Sequence, residues 1–375
     1  MLGANLDLMG AVTRMVLAGP GCHSRMLLAA AAAAVLSFST GTEAFGQRAT
    51  GTIEGTVRRL DDGAPLPFAL VRLRAPGDED LGAPGVLTDS GGRYRFLRVE
   101  PGAFQLQLEL IGYERVHSPV LRVESGATLT HDLTSAFEPI RITGIIVRPE
   151  GSCVTADLLH EDEELAGLWN EARKGIEARR AFDLQYRYAT ILEQDVYVRL
   201  RLMRDRLDMR VDTIINQPDS VLVREERRHA RQRDHGYGVR GALALTLPNE
   251  RDLLADEFLQ DHCLAAPVVG EDGSIGVVFR PVRPSADRVD IRGTIWLAPV
   301  SFQIRRLTLD WVEGERSIAR GTIVYEDVPV LGHTLRLPVH GQLDGRMSGP
   351  MRAVVLGASA PVRFSYRAFE LWGRR

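Results

Sequence analysis

Hydrophobic and polar residues alternate along most of this chain, and turn-forming residues separate the alternating runs. The clearest run spans residues 104–110, where Phe or Leu occupies every even position and Gln or Glu every odd one. A period of two is typical of a β-strand with one apolar and one polar face. Ahead of it, Asp89–Gly92 and Pro101-Gly102 are turn signals on either side of a strand in which Tyr94 and Phe96 share a face.

Shorter runs of the same kind fill residues 51–135. Alternation recurs at residues 53–58, 69–74, 121–123 and 129–133. Turn signals separate these runs about every ten residues, a spacing typical of sandwiches built from short strands. We therefore predict that the chain is mainly β and that residues 51–135 form an N-terminal antiparallel sandwich.

The pattern changes to a helical period over residues 161–180. Its apolar positions lie three or four residues apart and form one face, at Leu165, Leu168, Trp169, Ala172 and Ile176. Acidic residues occupy the start of this segment and basic residues its end, which favours the helix dipole. We predict a helix over 161–180, preceded by a linker over 136–160.

The period of two returns after residue 182 and continues to the end of the chain. Alternating runs lie at residues 182–188, 198–202, 289–297, 307–311 and 335–339. A short helix is expected between them, over residues 251–263. We predict that residues 161–375 form the helix and a large antiparallel sheet that is strongly curved or nearly closed.

The N-terminus has the pattern of an export signal. Arg25 precedes an apolar run over residues 26–38, which suits a signal peptide and is short for a membrane span. Small residues at Ala44 and Gly46 predict cleavage before Gln47, so residues 1–46 form the signal peptide region. The alternatives are a true start at Met26 and an uncleaved anchor helix. Export predicts a periplasmic or extracellular protein, compatible with association with the outer membrane.

Composition adds little to this picture. The 375 residues, with 45% hydrophobic and 25% charged residues, allow about two globular domains. The formal net charge of −3 gives no overall field that would attract nucleic acid, so no nucleic-acid partner is expected.

Three cysteines are present. Signal removal takes away Cys22 and leaves Cys153 and Cys263 in an oxidising compartment. We predict a Cys153–Cys263 disulfide, and the alternative is two buried free thiols.

Several motifs in the first 135 residues occur in a recognisable order. They are Gly51–Val57, Pro65–Ala69, Thr88-Asp89 with Gly92, Tyr94 and Phe96, Pro101–Leu106, and Ile111–Tyr113. Together they resemble the carboxypeptidase regulatory-like domain over about 85 residues. The resemblance implies a transthyretin-like or prealbumin-like sandwich, seven-stranded and antiparallel, which is also described as a carbohydrate-binding-like fold. Such domains accompany peptidases, outer-membrane receptors and other envelope proteins, so the resemblance specifies fold better than activity.

A second resemblance covers roughly 60 residues near the C-terminus. Gly293–Pro299, followed by Ile304–Leu307, is similar to the strand-turn-strand unit of lipoprotein-carrier-like half barrels. Together with Cys153, the helix at 168–173 and Asp261–Cys263, this arrangement resembles secreted bacterial proteins of unknown function that carry a regulatory-like domain.

Catalytic motifs were considered and rejected. His160 and Glu163 match His-x-x-Glu, but they lie at the acidic start of the predicted helix, and no His-Glu-x-x-His is present. Gly-x-Ser-x-Gly is absent. His262 adjoins Cys263, but adjacent side chains on a strand or helix face different ways. We therefore predict no catalytic, cofactor-binding or metal-binding residue and no cofactor.

Two surfaces are candidates for binding. Residues 224–240 hold six arginines, which could bind lipopolysaccharide, phospholipid or nucleic acid; interspersed acidic residues favour a solvated loop or hairpin tip. The polar face of residues 104–110, with the Asp89–Arg93 turn, could bind glycan.

The leading hypothesis is a non-enzymatic envelope binding or interaction protein. Its partner would be a glycan, a lipid or an outer-membrane protein, and peripheral membrane association is compatible with this hypothesis. The alternatives are a peptidase-associated or hydrolytic protein and a periplasmic carrier that holds an acyl chain. Bound zinc would favour the hydrolase, and bound lipid the carrier.

Overall fold

The computed structural model describes residues 49–77, 79–81, 85–138, 153–200, 206–238, 245–345 and 355–368. Residues 48–375 form one compact unit. The signal region, Cys22 and the cleavage site before Gln47 lie outside the described residues, so export stays a prediction. Within the described part, none of the helices is both long and apolar enough to cross a membrane.

The N-terminal part is a β-sandwich, as predicted. Its strands are β1 (Gly51–Arg59), β2 (Leu70–Ala75), β3 (Glu79–Asp80), β4 (Val86–Leu87), β5 (Arg93–Val99), β6 (Gly102–Glu109), β7 (Val116–His117), β8 (Leu121–Val123), β9 (Thr128–Thr130) and β10 (Leu133–Ser135). One sheet has the order β10–β1–β5, with β9 also paired to β1. The other has the order β3–β2–β6–β7, with β4 on β2 and β8 on β6.

Strand direction differs in one detail from the antiparallel prediction. β9 and β10 run parallel to β1, with Ile53 opposite Leu129 and Val57 opposite Leu133. Alternation of apolar residues reports which face of a strand is buried and carries no information on its direction.

Tyr94 and Phe96 are buried between the sheets as predicted, and the Tyr94 hydroxyl donates to the His131 carbonyl at 2.6 Å.

The second part combines helices with one large sheet. It begins with a 3₁₀ helix (Ala156–Glu161). The elements that follow are, in chain order, α1 (Glu163–Gln185), β11 (Tyr188–Leu200), β12 (Arg206–Asn216), a 3₁₀ turn (Pro218–Ser220), α2 (Val221–His235), α3 (Glu250–Leu253), α4 (Asp256–Asp261), β13 (His262–Leu264), β14 (Val268–Val269), β15 (Ile275–Pro281), β16 (Val289–Leu297), β17 (Ile304–Glu313), β18 (Arg316–Val330), β19 (His333–Gly345) and β20 (Val355–Ala368). The sheet order is β12–β11–β20–β19–β18–β17–β16–β15–β13, with β14 on β15. Every pair is antiparallel, which confirms the predicted large curved antiparallel sheet.

α1 organises this part. The Asp162 side chain caps its start by accepting from the Leu165 amide at 3.2 Å, an arrangement that stabilises helix N-termini. The predicted apolar face is buried at Leu165, Leu168, Trp169 and Ala172 against the large sheet. α1 ends five residues later than predicted, because Ala178, Ala181 and Phe182 continue an apolar face against a second group of residues.

Two local predictions are corrected. The loop expected at residues 224–240 is wrong for its first part, which lies in α2, and residues 239–244 lie outside the described residues. The single helix expected at 251–263 is divided into α3, α4 and strand β13. Of the predicted linker, residues 139–152 lie outside the description; next to them, Val154 bridges to Leu264.

A hydrophobic cluster joins the sandwich to α1 and the large sheet. It combines Leu70 and Leu87 of the sandwich with Phe182 of α1 and Val330 and Leu335 of the sheet. The polar face of β6 turns toward this junction, so Gln107 is 5% and Glu109 8% exposed. At both residues the predicted polar face is therefore covered rather than exposed to solvent.

Candidate functional site

The junction contains a cavity of about 290 Å³. Its walls come from three parts of the fold: residues 67–68 and 109–113 of the sandwich, residues 172–179 of α1, and the large sheet with Glu250 of α3. Sheet residues 301–304, 325–327 and 334–336 contribute lining side chains. A cavity formed by segments so distant in sequence exists only when the sandwich and the sheet are in contact.

Aromatic side chains form much of the apolar wall. Phe68, Tyr113 and Phe302 all line the cavity. Phe68 has φ 59° and Phe302 has φ 50°, in the left-handed region that side chains other than glycine rarely adopt. Each such residue costs about 1–3 kcal/mol and persists only where the surrounding structure holds it, often at ligand sites. Of the four described non-glycine residues with positive φ, two therefore line this cavity.

Charged groups at the sandwich side of the cavity are paired. Glu109 forms ion pairs with Arg72 at 3.3 Å and with Arg115 at 2.8 Å. Lys174 contacts Glu171 at 2.5 Å and donates to the Tyr113 carbonyl at 2.9 Å. The hydrogen bond from Lys174 joins α1 to the sandwich, and the ion pairs leave the wall with little net charge.

A buried ionic network continues from the cavity along α1. Arg179, which lines the cavity, donates through Nε to Asp183 Oδ1 at 2.9 Å and through Nη2 to the Tyr188 hydroxyl at 2.6 Å. Arg251 also bonds Asp183, and it contacts Glu225 at 2.8 Å. Burial by itself would raise the pKa of Asp183, but Arg179 and Arg251 outweigh it and hold that pKa below its ordinary value.

One atom of this network lacks a partner. The Nη1 of Arg179 is buried and makes no hydrogen bond to the described residues. A buried donor without an acceptor costs about 1–3 kcal/mol.

The sheet side contributes hydroxyl and carboxyl groups. The Tyr325 hydroxyl donates to Glu250 Oε2 at 2.9 Å, and burial together with Glu250 raises the pKa of Tyr325 well above its ordinary value. Arg336 donates to the Ile304 carbonyl at 2.9 Å and contacts Asp327 at 3.3 Å. Tyr325 is therefore a neutral hydrogen-bonding group at neutral pH.

The two cysteines that were predicted to pair lie together. Cys153 and Cys263 are joined by a disulfide, with their Cα atoms 5.4 Å apart, a separation that a disulfide spans. The bond ties the segment before α1 to β13.

His262, next to Cys263, belongs to a different buried group. Its Nε2 lies 3.0 Å from Asp290 Oδ1, and its ring stacks on Phe258 at a centroid distance of 4.0 Å. Burial would raise the pKa of Asp290, but His262 and Arg288 outweigh it and lower that pKa. His262 therefore pairs with a carboxylate rather than with a thiol.

The other sequence candidates lie apart from the cavity. His160 and Glu163 are exposed at the start of α1, and no group of three potential metal ligands converges in the part of the chain that the structure describes. Asp89 accepts from the amides of Gly91 and Arg93, both at 2.9 Å, and so closes its own turn.

Two arginines of α2 also serve the fold. Arg224 donates to Asn216 at 2.7 Å and to the Ile215 carbonyl at 3.0 Å, and Arg228 contacts Asp252 at 3.2 Å. Arg240 lies outside the described residues.

Sequence reasoning missed the residues of the cavity. One local signal was available, because Arg179 and Asp183 are an i, i+4 pair on a helix. Phe68, Phe302 and Tyr325 carry no such signal, since they meet only through the packing of the sandwich on the sheet.

Comparison with known proteins identifies the first part of the chain. Residues 52–136 match the family model of the carboxypeptidase regulatory-like domain. This segment is a carboxypeptidase regulatory-like domain. The strand pairing and the buried Tyr94 and Phe96 described above lie within it. No curated protein matches the chain.

Solved structures give only distant likenesses. The minor pilin GBS52 of Streptococcus agalactiae has 18% identity and a TM-score of 0.21, with 27% of this chain and 49% of the pilin covered, so the match spans about half of the pilin. A candidate carbohydrate binding protein from Bacteroides uniformis has 10% identity and a TM-score of 0.21, with 62% and 91% covered. The LolA superfamily protein NE2245 of Nitrosomonas europaea has 12% identity and a TM-score of 0.27, with 53% and 94% covered. Likenesses this weak do not bear on function.

Proposed function

We propose that this protein is a non-enzymatic binding protein of the bacterial envelope, and that its ligand is a saccharide unit held in the junction cavity. The observation that carries the proposal is the cavity itself, where the regulatory-like domain, α1 and the large sheet each contribute a wall. Export is supported by the apolar run over residues 26–38 and by the Cys153–Cys263 bond, since disulfides persist in oxidising compartments.

Cavity size and lining favour a small ligand with both apolar and hydroxylic surfaces. Ligand pockets start at about 300 Å³, so a cavity of 290 Å³ suits one sugar ring better than a long acyl chain. Phe68, Tyr113 and Phe302 provide flat apolar contacts for the C–H faces of such a ring. Tyr325 and Arg179 provide hydrogen-bonding groups for its hydroxyls.

A binding role is also favoured over catalysis by the state of the charged groups. Glu109, Lys174 and Asp327 at the cavity each have an oppositely charged partner. General acid–base catalysis needs a titratable group whose proton is available near the operating pH. Groups held in ion pairs serve better to shape and orient a site.

The carrier alternative receives less support from the packing. The face of the large sheet that packs against α1 is covered by buried side chains. They include Trp169 of α1, Phe258 of α4 and Trp311 of the sheet itself. That part of the sheet is a core rather than a channel for an acyl chain.

Calorimetric titration of the full chain tests the proposal. Hexoses, N-acetylhexosamines and hexuronic acids would be titrated singly and as short oligomers. We expect at least one class to bind, and Phe68→Gly to weaken its binding at least tenfold, because glycine keeps the positive φ while the ring is lost.

Arg98→Gly is the matched control. Arg98 also has a positive φ, of 58°, but it is exposed on the regulatory-like domain and does not line the cavity. The affinity of Arg98→Gly for the sugar should equal that of the wild type. Equal affinity in Phe68→Gly would contradict the proposal, and binding of lipid in place of sugar would favour the carrier.

A further inference from the structure

One carboxylate of the junction cavity has no ion-pair partner. Glu250, the first residue of α3, lines the cavity and is 8% exposed. Its Oε2 accepts a hydrogen bond from the Tyr325 hydroxyl at 2.9 Å, and among the described residues no Lys or Arg forms an ion pair with it. Burial of a charged group is costly unless the group is paired and hydrogen-bonded, so Glu250 is only partly compensated within the protein.

The other charged side chains that line the cavity are balanced. Each of them forms an ion pair with a residue of opposite charge: Glu109, Lys174, Arg179, Asp327 and Arg336. The charge that the cavity can offer to a ligand without breaking an existing ion pair is therefore negative, and it lies on Glu250.

Two buried arginines interact electrostatically with Glu250 but make their contacts elsewhere. Arg179 and Arg251 both bond Asp183, and Arg251 also contacts Glu225 at 2.8 Å. Two guanidinium groups are thus matched by two carboxylates before Glu250 is counted. The dipole of α3 adds little compensation, because this helix has only four residues.

We propose that the saccharide in this cavity carries a free amino group, whose ammonium pairs with the Glu250 carboxylate. This inference rests on the proposed function and narrows the ligand to hexosamines with an unmodified amine. A carboxylate has about four acceptor positions and Tyr325 uses one, so a ligand ammonium with its three donors can bind beside the Tyr325 hydroxyl.

Related sugars lack this complementarity. A hexuronic acid would bring a second carboxylate toward Glu250, and like charges repel more strongly in a buried site than in water. Acetylation of the amine removes its positive charge. A neutral hexose keeps the ring contacts but forms only neutral-donor hydrogen bonds to Glu250, whereas a bond between two charged groups is roughly twice as strong as one between neutral groups.

Calorimetry of the full chain with matched sugars tests this pairing. D-Glucosamine, D-glucose and N-acetyl-D-glucosamine share one ring and differ at C2, which carries an ammonium, a hydroxyl or a neutral amide. At about pH 6 the amine is protonated, and wild type should bind glucosamine at least tenfold more tightly than either of the other sugars. The three corresponding galactose-derived sugars are titrated in the same way.

Glu250→Gln supplies the protein side of the test. It keeps the size of the side chain and an acceptor for Tyr325 but removes the charge, so the preference for hexosamine over hexose should fall at least tenfold. Glu257→Gln is the matched control, because it makes the same change at an exposed residue of α4 that does not line the cavity, and it should keep the wild-type preference. Circular dichroism verifies the fold of both variants, and the comparison of sugars in wild type decides the question if Glu250→Gln does not fold.

The outcomes separate this inference from the proposed function. If wild type binds a hexose or an N-acetylhexosamine as tightly as the hexosamine, the amino-group inference is overturned while saccharide binding stands. A preference for hexosamine that persists in Glu250→Gln would assign the ammonium to another residue and overturn the inference as well. Absence of binding of every sugar by wild type would contradict both.

Discussion

Arg72 of the regulatory-like domain and Glu177 of α1 form an ion pair of 2.9 Å across the junction. Arg72 also contacts Glu109 at 3.3 Å, so one guanidinium links a sandwich carboxylate to a helix carboxylate. Both members of the Arg72–Glu177 pair are largely shielded from solvent, where ion pairs restrict geometry more than they add stability. The contact fixes the sandwich as one wall of the cavity.

The first prediction concerns the cooperativity of the unfolding. Phe182 is fully buried in the hydrophobic cluster that joins the sandwich to the sheet. Phe182→Ala should lower the free energy of unfolding by about 3–5 kcal/mol and destabilise both parts. Urea unfolding followed by circular dichroism measures this. Leu97→Ala is the control and should change stability little, because Leu97 in β5 is 65% exposed. A separate transition of the sandwich in Phe182→Ala, at the same urea concentration as in the wild type, would contradict the prediction.

The disulfide gives a second prediction. Removing the Cys153–Cys263 bond by changing both residues to Ser opens a loop of 110 residues. The free energy of unfolding should fall by roughly 4–5 kcal/mol in the chain-entropy model. Chemical denaturation measures the difference, with Cys22→Ser as the neutral control. Alkylation of both thiols in unreduced wild-type protein would show that the bond does not form.

A third prediction concerns the turn between β18 and β19. Leu331 and Gly332, with φ 52° and 80°, form a two-residue hairpin loop between paired Val330 and His333. Two successive positive φ values are typical of a type I′ turn, in which Asn-Gly is the preferred pair. Leu331→Asn should therefore stabilise the protein by about 1 kcal/mol, seen as a higher melting temperature. Leu60→Asn is the control and should give no such gain, because Leu60 is exposed but has no positive φ. Destabilisation by Leu331→Asn would contradict the turn assignment.

Local sequence predicted the elements better than it predicted their surroundings. Tyr94 and Phe96 are buried as their alternation predicted, because a two-residue period directly reports the face of a strand. Gln107 and Glu109 have the same kind of pattern but are also buried, and Glu109 lines the junction cavity, which forms by long-range packing that polarity cannot show.

The cavity could not be predicted for the same reason. Phe68, Arg179 and Tyr325 lie more than a hundred residues apart along the chain and meet only when the hydrophobic cluster forms. α2 was mistaken for a loop because its many charged residues lack a long apolar face. By contrast, the sequence predicted the buried face of α1 from its apolar residues at i, i+3 and i+4, because that helix buries one continuous row of apolar side chains.

A fourth prediction is a pH dependence that originates at His333. Its ring packs beside Phe68, Phe182 and Tyr186, and burial lowers its pKa from the ordinary 6.5, an effect that Asp89 partly offsets. The unfolded state then binds more protons just below pH 6.5, so the stability from neutral His333 is present above that pH. It is lost progressively as pH falls toward the lower folded-state pKa.

Urea unfolding at pH 7.5 and pH 5.5 measures this effect. The wild type should lose more stability between the two pH values than His333→Phe, which keeps an aromatic ring but does not titrate. Equal losses in the two proteins would assign the pH dependence to other groups.

The central claim is that a saccharide occupies the cavity between the regulatory-like domain, α1 and the large sheet. Gly175 of α1 lines this cavity, and a Cβ there would lie 2.9 Å from Cδ1 of Ile111, the flexible end of a side chain. Gly175→Leu should therefore fold while filling the cavity. Asn170→Leu, at an exposed position of the same helix, adds the same side chain outside the cavity.

The decisive measurement is the affinity of the full chain for hexoses, N-acetylhexosamines and hexuronic acids, compared among these three proteins by calorimetry. The account predicts that wild type and Asn170→Leu bind the same sugar equally well and that Gly175→Leu binds it at least tenfold more weakly. Absence of binding by the wild type, or unchanged affinity in Gly175→Leu, would contradict it.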